Sequence, residues 1–192
     1  MTELTNSLNE KAVWADQTNF PQQIVALTFS AWSAWLDIVQ DANRWKKRQY
    51  ADITIRKFLE QPNVRNAILM MDWRERSIVL PEEQAIFLGA KTFSYHEDNL
   101  PNALSVKSSL SLEETIIRDC FDTLFTGIEQ FSDLVDSGMM DLGDFKPYLR
   151  ECANLIRGRQ PNRSVTTVAA IDSYIAEYFD KNKIAAFLDA LQ

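Results

Sequence analysis

The chain has 192 residues, 46% hydrophobic and 24% charged, with five glycines, six prolines and a formal net charge of −7. That length suits one domain, or one domain with a helical arm, and can bury roughly two-thirds of the surface exposed on unfolding, so wholesale disorder is excluded. Scarce glycine argues against a β-sandwich or barrel, whose tight turns need left-handed positions, and the acidic balance argues against coating the surface with nucleic acid.

From Met1 to Phe20 the chain is polar, without the basic start and apolar run of a secretory signal. A short helix over Leu4 to Asp16 would have Val13 and Trp14 as anchors, and residues 1–20 form a weakly structured segment ahead of a helical domain over 21–192. Pro21 suits the first position of a long helix, where its missing N–H costs nothing. In that helix Val25, Phe29, Trp32, Leu36 and Val39 share one face, and Ile24, Leu27, Ala31, Trp35 and Ile38 a neighbouring one. The periodicity continues through Trp45, Tyr50, Ile53, Ile55, Phe58 and Leu59 around a basic run, Arg44, Lys46, Lys47, Arg48, Arg56 and Lys57, until Pro62.

Asn63 to Ser77 reads as the next helix, with Val64, Ala67, Ile68, Met71 and Ile78 as core candidates. Leu80-Pro-Glu-Glu83 is a helix start, and that helix is expected to reach about Tyr95 with Ile86, Phe87, Ala90 and Phe93 facing in. His96 to Leu110 reads as a loop. Ser111 and Glu114 make a capping-box pattern ahead of an apolar stripe from Leu112 to Val135, and Gly138 is a natural stop. A short connection leads to a helix over Asp144 to Arg157 with Phe145, Tyr148, Leu149, Cys152, Leu155 and Ile156 inside; the two helices are expected to form an antiparallel hairpin. Ser164 caps a helix over Val165 to Phe179, and a short helix over Lys183 to Leu191 ends the chain. The expected fold is therefore all-α, a bundle of about six to eight helices with mostly antiparallel neighbours and a long N-terminal helix.

Motifs for chemistry are sparse. The single histidine, His96, has Glu97 and Asp98 beside it but no spacing that matches a zinc or di-iron site. Asp133, Asp136, Asp141 and Asp144 lack the alternation, central glycine and terminal glutamate of a calcium loop, and Asp141 or Asp144 is better read as a helix cap. Nucleotide-binding and nucleophile-elbow fingerprints are missing. Cys120 and Cys152 fall on predicted apolar faces, as buried thiols in a reducing cytosol do, although two packed helices could bring them together. Asp119 and Asp122 could do acid–base work but sit where a wet helix face is expected. No catalytic residue, cofactor or metal is assigned.

Charge is segregated along the chain. Eleven acids stand against Lys107 and Arg118 between Glu97 and Asp144, five bases against Glu151 between Lys146 and Arg163, and six bases against Asp52 between Arg44 and Lys57. Such runs are solvated faces with interhelical pairs, or surfaces that steer a partner. The stretch Trp45-Lys-Lys-Arg-Gln-Tyr50, the stretch Met70-Met-Asp-Trp-Arg-Glu-Arg76 and the Phe131 to Ile156 hairpin together resemble a group of uncharacterised bacterial helical proteins, catalogued as domains of unknown function. In many of them a membrane helix precedes a basic segment and a helical domain. Here the apolar run is short and carries Asp37, and no stretch reaches the roughly 20 apolar residues of a span. The resemblance implies no activity and no functional residues.

The expected function is non-enzymatic: a cytoplasmic regulatory or scaffolding protein that binds a protein partner or itself. Its candidate surface is Phe29, Trp32, Trp35, Leu36, Arg44, Lys46, Lys47 and Arg48. Peripheral attachment to the inner face of a membrane through residues 24–48 is the alternative. Imitation of nucleic acid by the acidic run, and a carboxylate or metal enzyme, follow behind. Neither a nucleic acid nor a small-molecule substrate is the expected ligand.

Overall fold

A computed structural model describes the backbone of residues 2–107, 109–159 and 163–192, and side chains within those ranges from residue 30 onward. The chain divides into two units, residues 1–46 and 47–192. Helical assignment over Thr2–Glu60, here α1, accounts for the first unit, includes Pro21, and supplies the opening turns of the second.

In the second unit Ala51, Ile55 and Phe58 repeat at helical spacing and are buried, which anchors the end of α1. Pro62 then opens α2 (Pro62–Asp72), with Val64, Ala67, Met70 and Met71 buried. The helix predicted over 63–77 stops early: Trp73 is already extended, and Glu75–Val79 forms a strand, β1. Pro81 and the acids that follow do begin a helix, α3 (Glu82–Leu88), but it ends at Gly89, whose φ of 72° only glycine adopts at little cost. The chain returns as a second strand, β2 (Thr92–His96). The strands pair antiparallel from Glu75↔His96 to Val79↔Thr92. Ile78, Phe93 and Tyr95 enter the core from this small sheet, whereas Ile86 and Phe87, expected to face in, are 76% and 56% exposed. The predicted loop from His96 also holds a 3-10 turn, Glu97–Asn99, and a short helix, α4 (Leu100–Ala103).

The C-terminal half follows its local signals. Ser111 accepts from the Glu114 N–H at 3.1 Å while the Glu114 carboxylate accepts from the Ser111 N–H at 2.9 Å, a complete capping box on α5 (Leu112–Asp136). Gly138, at φ 69°, follows its end. The remaining helices are α6 (Leu142–Ile156), α7 (Val165–Tyr178), capped by Ser164, and α8 (Lys181–Ala190), capped by Asp180. Among the described residues, eight helices and one two-stranded sheet make an all-α architecture.

The core is organised on α5. Phe58 packs edge-on against Phe131 at 4.9 Å between ring centroids, Phe131 meets Phe145 at 5.1 Å, and Phe145 meets Phe187 at 5.6 Å, linking α1, α5, α6 and α8. Gly127 has a packing reason: a Cβ there would collide with the Phe58 ring. The expected α5–α6 hairpin meets at Phe131 and Phe145, but the broadest packing of α5 is on α2, with α4 and α8 next.

Candidate interaction surface

An α-helix turns by about 100° per residue, so residues three and four apart share a face. By that geometry Trp32, Trp35, Leu36 and Val39 lie together on the described part of the first unit, and Ser30, Asp37, Asp41 and Arg44 lie away from them. Asp37 therefore leaves the apolar face uninterrupted. Trp32 and Trp35 are 58% and 52% exposed, with ring centroids 5.2 Å apart and planes tilted by 32°. Leu36, Ile38 and Trp45 are exposed as well, and no described side chain from residue 30 to 46 is buried. The Phe29 side chain lies outside the described residues, as do those of Ile24, Val25 and Leu27.

The basic residues predicted beside this face have separate fates. Arg44 lies 3.4 Å from Asp41 on the opposite face. Lys47 donates to the Gly138 carbonyl at 2.8 Å, and Arg48 lies 3.7 Å from Asp144; both contacts are internal to the second unit. Lys46 falls on the Trp32 side, and among the described residues it has no ion-pair partner.

The acidic run is similarly drawn into internal contacts. Asp133 pairs with Lys183, Glu114 lies 3.4 Å from Lys107, and Asp122 accepts the Tyr174 hydroxyl. Among the described residues no three His, Cys, Asp or Glu side chains converge as a metal-binding group. His96 lies 3.8 Å from Glu75. Burial, and then the neighbouring Asp122, push the Asp119 carboxyl above its ordinary value. Burial pushes the Cys120 and Cys152 thiols up to about 12, which leaves them poor nucleophiles near neutral pH. Cys120 donates instead toward Asn63, at 3.9 Å. A cleft of about 520 Å³ opens beside them between α2, α3 and α5, offering the Asn63 amide, the Thr123 hydroxyl, the Glu82 and Glu83 carboxylates and the apolar Ile86.

Glu97 is the residue whose role the sequence pattern hides. Read as a loop acid, it is 5% exposed. Its carboxylate accepts from Arg74 Nε at 2.9 Å and from the Ser164 N–H at 3.1 Å, with the buried Arg163 guanidinium 3.7 Å away. Burial opposes its ionisation, but the Ser164 N–H, Arg74, Thr167 and Arg163 together hold the carboxyl below its ordinary range. This clasp ties the end of β2 to the start of α7. The hairpin itself had a signal, the strict alternation Thr92-Phe-Ser-Tyr-His96.

Among the described residues no helix is long and apolar enough to cross a membrane. No family model, curated protein or solved structure matches the chain.

Proposed function

We propose that the chain is a non-enzymatic interaction protein that docks a protein partner or a second copy of itself through the α1 face carrying Trp32, Trp35 and Leu36. The observation that carries this reading is the paired, half-exposed Trp32 and Trp35 in a stretch with no buried side chain. Covering roughly 100 Å² more of each indole is worth about 2–3 kcal/mol apiece, enough to make the pair an anchor. Light scattering coupled to size exclusion on the full chain tests it. The mass is expected to exceed that of a monomer and to fall in the Trp32→Ala/Trp35→Ala double variant. An unchanged mass in a folded double variant overturns the reading for self-association.

One observation favours a second reading. Lys46 falls on the tryptophan side, about two turns beyond Val39, as a cation does beside lipid headgroups. In that reading the face lies on an anionic membrane. Flotation with phosphatidylserine vesicles at low salt, reduced by Lys46→Glu, is the expected result; protein remaining at the bottom of the gradient rejects it.

A further inference from the structure

The two strands of the hairpin pair through one edge each, and in an antiparallel ladder alternate residues turn their backbone groups away from the partner. The Leu80 N–H donates to the Lys91 carbonyl at 3.0 Å and the Glu97 N–H to the Arg74 carbonyl at 2.7 Å. With Ser77 opposite Ser94, the register makes Arg76, Ile78, Phe93 and Tyr95 the internally bonded positions. Thr92, Ser94 and His96 therefore turn N–H and C=O outward.

The outer edges differ. On β1 the Asn66 side chain donates to the Val79 carbonyl at 3.0 Å, and α2 packs alongside. On β2 no hydrogen bond from a described residue reaches the outward backbone groups of Thr92, Ser94 or His96, and all three residues are exposed. Natural edges are commonly blunted by lysine, proline or a bulge. From Thr92 to His96 this one has no lysine, proline or acid. The chemistry that fits it is another extended backbone.

We propose that β2 pairs antiparallel with β2 of a second copy, centred on Ser94, to give a continuous four-stranded sheet. A twofold at Ser94 sets Thr92 of each copy opposite His96 of the other, so one edge satisfies its own image. The flanking charges select this orientation. Lys91 and Asp98 are exposed at opposite ends of the edge. Antiparallel pairing brings each Lys91 to the acidic end of the other copy, twice over, whereas parallel pairing sets lysine beside lysine and aspartate beside aspartate. This contact is independent of the tryptophan face.

Amide hydrogen exchange on the full chain, at about 10 µM and at about 1 mM, tests it. Exchange at Thr92, Ser94 and His96 is expected to slow by about tenfold or more at the higher concentration. Ser94→Pro removes an outward N–H that does not serve the β1–β2 ladder, so the slowing at Thr92 and His96 is lost while Phe93 and Tyr95 stay protected. A Ser94→Cys variant is expected to cross-link into a dimer with a short bismaleimide; the buried Cys120 and Cys152 do not compete. The concentration effect should persist in the Trp32→Ala/Trp35→Ala background, and its disappearance there would assign the contact to the helix and overturn the proposal. Exchange that ignores concentration, or an absent cross-link, also overturns it. If Ser94→Pro exposes Phe93 and Tyr95, the cross-link decides.

Discussion

Residues 30–46 of α1 and the whole of α5 are built from similar apolar side chains at the same three-and-four spacing, yet they meet opposite environments. α5 buries Ile116, Ile117, Cys120, Phe121, Leu124, Phe125, Ile128 and Phe131, because α2, α4 and α8 cover it. The 30–46 stretch buries none of its described side chains, and Trp32 and Trp35 pack on each other instead. Periodicity announces that a face is apolar; whether anything covers that face depends on where other elements arrive. The same contrast holds for charge. Glu97 and Asp37 are both acids, but the first is enclosed by Arg74, Arg163 and Ser164, and the second stays exposed.

Substitutions can break this comparison. Phe125 is fully buried against Tyr174 and Phe179, with centroids 6.4 Å and 5.6 Å away, so Phe125→Ala should cost about 3–5 kcal/mol in a urea melt. A loss near zero would mean that α5 is no better covered than α1. Glu97→Gln should cost about 3 kcal/mol near neutral pH, since it leaves the buried Arg163 without its counter-charge. Its pH dependence follows from the carboxyl being held below the ordinary value of 4.5. The unfolded chain takes up the proton first as the pH falls, so the contribution is full above the unfolded value and is lost as the folded group titrates. The variant should therefore show a flatter acid limb in a stability–pH series below about pH 5. Parallel acid limbs would remove the clasp from the account.

Smaller effects sharpen the contrast. Ser111→Ala deletes one half of the capping box and should cost about 1 kcal/mol by thermal or urea melting, without changing what α5 buries. Trp32→Ala should change the stability of the second unit by less than about 0.5 kcal/mol, because its ring is exposed. A loss of several kcal/mol at Trp32, with no change in mass, would place that ring in an intramolecular core.

Most of the helical order was legible from local chemistry. The Ser111-x-x-Glu114 box, the Pro81-Glu-Glu start, the stop at Gly138 and the cap at Ser164 act within one turn of chain, and each stands at a helix end or start. The candidate surface was legible only as an apolar face; the separation of Lys47 and Arg48 from Lys46 came from Gly138 and Asp144, more than ninety residues away in the chain.

The residues by themselves determined that the chain is helical, where α5 and α7 begin, and that α1 carries an apolar face, because capping, proline geometry and apolar spacing are local. The tertiary structure decided the rest. Glu75–Val79 and Thr92–His96 became strands, although Trp73-Arg-Glu-Arg has no local stop for α2, because pairing them carries Ile78, Phe93 and Tyr95 into the core. It also decided that Glu97 is buried and that Trp32 is not, since burial depends on which distant segments arrive to cover a side chain.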